Sequence, residues 1–306
     1  MSETQLVNNV SPQADLDEVV SLIGAERVLQ PLLRGGVLRR LMHDWTARIG
    51  LVVVAVLVLA AIFAPVLAPD DPLALDAGSF ESPSWSHPFG TDRLGRDLLS
   101  RILFGARLSL GTAFFASLLI TVAAVLVGSV TGFLGGPVDT ILMRVVDTIL
   151  AFPSLLLAIV VAGLFKPSLA SLMLALASVW WVGYARIVRG LVLAVRERQF
   201  VTAARVAGGR SSRILIRHIL PNVLPPVIVL ATLEMGTLIL AISALSFLGL
   251  GAQPPTPEWG AMLNEGKNNF FAAPHLMLFP GLAISLAVLG FNLLGDGLRD
   301  VLDPKS

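Results

Sequence analysis

Six apolar stretches constrain this chain more than any other feature: residues 49–68, 108–134, 148–165, 167–185, 223–250 and 276–294. They carry no charge except one acid, Glu234, in the fifth. A hydrocarbon core of about 30 Å takes about 20 apolar residues at ~1.5 Å rise each, so stretches of this length reach across a bilayer. Hydrocarbon offers no hydrogen bonds to the backbone, so each stretch must satisfy its own N–H and C=O groups as a helix. A 55% apolar and 14% charged composition belongs to a membrane protein, since a soluble domain is nearer to about 25% charged. The expected fold is therefore all-α and polytopic, with six transmembrane helices over 45–306. The first stretch starts too late and runs too long for a secretory signal, so it stays as an anchor. Residues 1–44 form a polar tail, in which 14–44 makes an amphipathic surface helix or stays partly disordered.

Charge sets the expected orientation. With the N-terminus in the cytoplasm, the tail, the 135–147 connection, the 186–222 loop and the C-terminal end hold sixteen Lys and Arg, and the opposite side holds six. Basic residues in short loops stay inside, so both termini are expected in the cytoplasm. The 186–222 loop decides it, with eight arginines against one acid, Glu197. Drawing one arginine to the bilayer centre costs about 3 kcal/mol on insertion scales. Trp180, Trp181 and Tyr184 precede this loop, where interfacial anchors belong.

Inside the loop, Phe200, Ala203, Ala204 and Ala207 fall at i, i+3, i+4 and i+7, giving a short helix an apolar face made mostly of methyl groups. Gly208 and Gly209 stop it, Ser211 or Ser212 caps a second helix, and Pro221 interrupts the chain before the fifth stretch. A small-residue ridge flanked by Arg198 and Arg205 suits docking into a groove of another protein; anionic lipid is the competing ligand.

The whole stretch "TAARVAGGRSSRILIRHILPN", residues 202–222, resembles the cytoplasmic signature of ABC-importer permeases: E-A-A, three residues, Gly, nine residues, then I-x-L-P. Ala203, Ala204 and Gly208 match its first half, and Leu220 and Pro221 its second. Thr202 stands where the family usually has glutamate, and His218 where the generic pattern has isoleucine. The segment "HPFGTDRLGRDLLSRILFGARLSL", residues 87–110, resembles C-type permeases of dipeptide, oligopeptide and nickel importers, as do "LSFLGLGAQPPTPEWG" at 245–260, "VDTILMRVVDTILAFPSLLLA" from Val138 and "FNLLGDGLRDVLDP" at 291–304. The resemblance covers about residues 45 to 304.

It implies a type I ABC-importer permease fold in a bacterial inner membrane. Phe200, Thr202, Ala203, Ala204, Arg205, Ala207 and Gly208 would then form the coupling helix that inserts into an ATPase subunit. The implied partners are a homologous B-type permease, two ABC ATPases that bind ATP and Mg, an extracytoplasmic binding protein, and membrane lipid. The implied cargo is di- or oligopeptides, with nickel or another small solute as the alternative.

Several residues are read from their own chemistry. Leu98, Leu99, Ile102 and Leu103 face one side of a helix whose other side carries Arg96, Asp97, Ser100 and Arg101, an interfacial amphipathic element leading into the second span. Arg93, Arg96, Asp97 and Trp259 are candidates for the face on which the binding protein lands, against a purely structural elbow. Pro254, Pro255 and Pro257 stiffen the next outer loop, which Trp259 anchors. Glu234, near midplane, lines the pathway or bonds a neighbouring helix. Gly128, Gly132 and Gly136 make a small-residue packing ridge. Phe152-Pro153 and Pro225-Pro226 are kink points. Asp139, Arg144 and Asp147 border the third span, the last two spaced for a helical ion pair, and Asp296, Arg299 and Asp300 close the sixth.

Other chemistries find little support. There is no G-x-x-x-x-G-K-[ST] phosphate loop, so the chain itself is not expected to hydrolyse ATP, and it carries no catalytic constellation. Cysteine is absent, and His43, His87, His218 and His275 are scattered without metal-ligand spacing, so no metal or other cofactor is expected in this chain. Nothing in the charge pattern suggests nucleic acid. A stand-alone channel or secondary transporter is the reading from another class, and one acid in six spans is thin for it.

Overall fold

The computed structural model describes residues 43–302. The 1–44 tail lies outside the described residues apart from its last two, as do the final four. Asp44 opens helix α1 (Trp45–Ile62) by accepting the Ala47 N–H at 2.8 Å, one of the donors that a helix start leaves unpaired. A four-residue turn, α2 (Ala64–Leu67), completes the first apolar stretch. Helix α3 (Leu98–Leu134) runs for 37 residues, so the expected amphipathic elbow is its first turns rather than a separate element. Gly135, at φ +67°, ends α3 in a conformation that a Cβ would strain.

The third apolar stretch is not one straight helix. α4 (Gly136–Leu150) and α5 (Ser154–Gly163) meet at 87°. Pro153 has no N–H for the helical ladder and steers Phe152 away from helical backbone, so the chain turns there. Helix α6 (Leu169–Arg196) starts at Ser168, whose hydroxyl accepts the Ser171 N–H at 3.1 Å. After it come α7 (Gln199–Val206), α8 (Ser211–Ile214), one π-helical segment (Leu215–Ile219) and α9 (Leu220–Phe247), the last three forming one rod.

Two details of that rod correct the sequence reading. Neither Ser211 nor Ser212 caps it, because both already lie within the helix and Arg210 holds the cap position without a side-chain bond. Pro221 does not interrupt the chain; it sits in the first turn of α9 directly behind the π-helical segment. A wider turn is where a missing N–H and a ring crowding the carbonyl four residues back are tolerated. Pro225 and Pro226 also lie inside α9 without ending it. α10 (Trp259–Gly266) and α11 (His275–Leu302) complete the chain. Five helices are long and apolar enough to cross a membrane, and the bent α4–α5 pair makes a sixth if it is one span. No strand occurs among the described residues.

Small residues set the helix crossings. A Cβ on Gly128 would lie 2.6 Å from the Ala185 carbonyl oxygen and 2.7 Å from the Val188 Cβ, and one on Gly132 would lie 2.9 Å from the Arg189 carbonyl. These two glycines let α3 and α6 touch by backbone. Gly136, expected to continue the ridge, lies past the end of α3 and faces open space. Gly290 against Val53 and Gly295 against Leu233 do the same for α11 with α1 and α9.

One core cluster joins Ile120, Leu172, Leu176, Leu238, Ile242 and Trp259; a smaller one gathers Val188, Val192, Val201, Ile214, Ile219 and Val223 near α7. Trp180, Trp181 and Tyr184 pack half-buried against these clusters, so they are more than surface anchors. Outward-facing Val52, Leu126, Leu156, Val160 and Leu240 leave apolar surface that suits hydrocarbon or another apolar protein face, and not water.

Candidate functional site

The basic loop is held by three of its own arginines. Arg189 grips Asp139 with a two-pronged contact, Nε to Oδ1 and Nη2 to Oδ2, both 2.6 Å, and Arg186 pairs with Asp147. Arg196 donates from Nη1 to the Gly132 and Phe133 carbonyls at 3.2 and 3.0 Å, covering acceptors that the end of α3 leaves open. The pair expected within one helix, Arg144 with Asp147, gives way to pairs between helices, because α4 lies against α6 and presents both acids to it. Arg198, Arg205, Arg210, Arg213 and Arg217 remain exposed, with no acidic partner among the described residues.

This frame positions α7. Val201 is fully buried with Ile214 and Ile219 in the smaller core, and Phe200 and Ala204 lean on the same cluster. At the other end Gly208 adopts φ +78°, and the Gly209 N–H closes back onto the Ala204 carbonyl at 3.0 Å. Thr202, Ala203, Arg205, Ala207 and Gly208 face outward. The expected ridge is thus split: Phe200 and Ala204 serve the chain's own core, while Val206, which sequence spacing passed over, is 84% exposed on the free side. Val201 and Val206 could have been found from the sequence as the pair that flanks the alanines at helical offsets.

Glu234 is buried in α9. The Trp180 side chain of α6 lies close to its carboxyl, and Oε1 has no partner. One carboxyl acceptor therefore remains open.

At the opposite end of the bundle the structure joins two segments distant in sequence, the start of α3 and residues 258–265. Arg96 Nε donates to Asp92 Oδ2 at 2.6 Å and Arg96 Nη2 to Glu265 Oε2 at 2.8 Å, while Arg101 Nη1 reaches both acids, Glu265 at 3.0 Å. Burial alone would raise the Asp92 carboxyl, but the Arg101 charge, the Arg96 and Leu94 N–H groups and the Arg96 charge together hold it below the ordinary carboxylate range. Glu258 caps α10 through the Gly260 and Ala261 N–H groups at 3.0 and 2.9 Å and accepts the Ser109 hydroxyl at 2.9 Å. Trp259 is wholly buried and donates from Nε1 to the Ile102 carbonyl at 3.0 Å.

Of the four residues expected on a landing face, Arg93 alone is exposed; Arg96, Asp97 and Trp259 are interior fasteners. The polar side of the α3 start is turned into protein and not towards an interface, because Asp92 and Glu265 supply counter-charges there. Asp92, Ser109, Glu258 and Glu265 went unread in the sequence. Asp92 and Arg96 carry an i, i+4 signal and Glu258 an N-cap signal, but Glu265 lies more than a hundred residues away and gives none. A cavity of about 420 Å³ opens beside this network, lined by Arg93, Arg101, Glu265 and Lys267 among others. Asp70, His87 and Asp97 also bring their ligating atoms within 4.8 Å of one another.

Comparison with known proteins fits this arrangement. Residues 124–306 match the family model described as "Binding-protein-dependent transport system inner membrane component", and residues 33–83 match "N-terminal TM domain of oligopeptide transport permease C". The chain is 45% identical to the dipeptide transport system permease protein of Alkalihalophilus pseudofirmus over 87% of this chain and 88% of the relative. It is 44% identical to a glutathione transport system permease protein of Escherichia coli, covering 87% and 89%. It is 40% identical to the nickel transport system permease protein of Escherichia coli K12, covering 86% and 96%. With a family model spanning more than half its length and relatives this similar over nearly all of theirs, the chain belongs to the inner-membrane permeases of binding-protein-dependent ABC transport systems, in their dipeptide, oligopeptide and nickel C-type branch.

Proposed function

We propose that this chain is one of two homologous membrane subunits of an ATP-driven importer that passes di- or oligopeptides delivered by an extracytoplasmic binding protein. The observation that carries the coupling role is the free face of α7: Thr202, Ala203, Val206 and Ala207 stand out from a helix whose other side is fastened into the core by Val201. A small, rigidly held apolar face of that size suits a groove on an ATPase subunit. The chain has no phosphate-cradling loop of its own, so ATP and Mg belong to that partner. Its closing drives the α7 end of the bundle, and the spans rock between inward and outward openings. The surplus of basic residues around α7 supports a cytoplasmic location for that end and for both termini.

Cargo is supported by the relatives. Those named for dipeptide and glutathione transport stand at 45% and 44% identity, and the nickel relative at 40%. Glutathione is itself a tripeptide. Glu234, with one open carboxyl oxygen, is the residue we assign to the pathway wall, and Arg93 the one left to meet the binding protein.

Uptake of a labelled tripeptide and of labelled nickel by cells lacking this chain, with and without its restoration, tests the reading. Restored peptide uptake that stops on ATP depletion is the expected result. Restoration of nickel uptake alone would move the cargo to the metal branch.

A further inference from the structure

Asp70, His87 and Asp97 come from three separate places: the turn after α2, the middle of the 68–97 segment, and the cap of α3. His87 Nδ1 lies 3.1 Å from Asp97 Oδ1 and 3.9 Å from Asp70 Oδ2. We propose that these three side chains form a divalent transition-metal site, of the zinc or cobalt class, that fastens the 68–97 segment to the start of α3. Donors bound tetrahedrally at about 2.0–2.1 Å stand about 3.4 Å apart, so small rotations of the half-exposed Asp70 complete the geometry.

Each ligand is already held from behind. Asp97 spends Oδ2 on the Ser100 N–H at 2.7 Å, which turns Oδ1 towards His87 Nδ1, its hydrogen-bond partner at 3.1 Å. The Ser100 hydroxyl accepts the Asp70 N–H at 3.1 Å, tying that acid to the same helical turn. His87 sits in a tight turn, its N–H on the Ser84 hydroxyl at 3.1 Å and its carbonyl accepting from Ser84 and Gly90, both at 2.9 Å. Supports of this kind fix ligand orientation before an ion arrives.

Charge also asks for a cation. Neither carboxylate has a lysine or arginine partner among the described residues, since Arg96 and Arg101 are engaged with Asp92 and Glu265. Asp97, at 1% side-chain exposure, is almost without water. Two carboxylates and a neutral imidazole make a neutral assembly with a divalent ion, and one mixed N and O donor set suits zinc-like ions better than Mg or Ca. Asp70, half in solvent, leaves room for water as a further ligand.

Because the chain has no cysteine, thiol binding cannot confuse the test. The full chain, purified in nanodiscs and freed of metal with EDTA, is titrated with Co²⁺, followed by its visible absorption, and then with Zn²⁺ in competition. We expect one saturable site, with affinity reduced about tenfold or more by Asp70→Asn and by His87→Gln, a loss at least as large as removing a supporting partner behind a ligand. Asp70→Asn alters a half-exposed side chain, so it should fold, and His275→Gln should bind as wild type does. Zn²⁺ should also protect the 68–97 segment from proteolysis in wild type and not in Asp70→Asn. Absence of a saturable site, or binding indifferent to both variants, would overturn the proposal. So would protection of the segment with no response to metal.

Discussion

Asp92 fastens the start of α3, because two arginines converge on one of its oxygens and two backbone N–H groups on the other. Taking one partner from a buried charge cluster costs about 3 kcal/mol or more, since the remaining charges have left water and lost their counterpart. Asp92→Asn should therefore lower the unfolding temperature in detergent at neutral pH. The pH dependence has a definite sign. The folded carboxyl lies below its unfolded value, so its contribution is complete above the ordinary carboxylate range near about 4 and fades as pH falls through the folded value. The gap between wild type and Asp92→Asn should close on acidification, once the wild-type carboxyl is protonated too. A gap of constant size from neutral to strongly acid pH would show that packing, and not charge, is what the substitution removes.

Among the elements, the α3–α6 contact is the one a single methyl group can test. Gly128→Ala puts a methyl group where a Cβ meets backbone at 2.6 Å, so the helices must part or shift. Overpacking of this kind costs about 1–3 kcal/mol, read as a lower unfolding temperature or poor yield. Gly183→Ala, on α6 but facing open space, should be neutral or slightly stabilising, because a helical glycine gives up about 0.5–1 kcal/mol against alanine. Equal behaviour of the two variants would refute the close approach. Elements of this kind were legible in advance wherever hydrophobicity alone decides: the apolar stretches became helices, and the α7 helix and its glycine stop were readable from spacing and backbone freedom. What stayed hidden depended on tertiary neighbours. The polar start of α3 reads as a wet face until Glu265 arrives from α10, and Pro153, legible as a kink point, did not reveal that the bend reaches 87°. Asp147 pairs with Arg186 across helices and leaves the nearer Arg144, which a local spacing rule cannot foresee.

For the whole molecule, the decisive question is which face of α7 would meet the proposed ATPase partner. Four positions of one short helix give three different expectations, because its orientation is fixed by Val201 in the core and by the Gly209 closure onto Ala204. Val206 is 84% exposed, Ala203 is exposed, Ala204 is half-buried, and Val201 is sealed off. In this cysteine-free chain, single substitutions Val206→Cys, Ala203→Cys, Ala204→Cys and Val201→Cys provide background-free cross-linking handles. With a short thiol reagent in native membranes, linkage to the ATPase subunit should be strongest for Val206 and Ala203, weaker for Ala204 and absent for Val201. ATP should alter the strong pair most, since the proposed docking puts these residues where the ATPase closes. The same substitutions separate docking from lipid binding: a lipid-facing α7 would leave Val206→Cys open to membrane-soluble maleimide and give no protein product. Strong linkage through Val201 would mean that α7 leaves its core seat during transport, in which case the rigid lever argued from its packing would be replaced by a helix that unlatches.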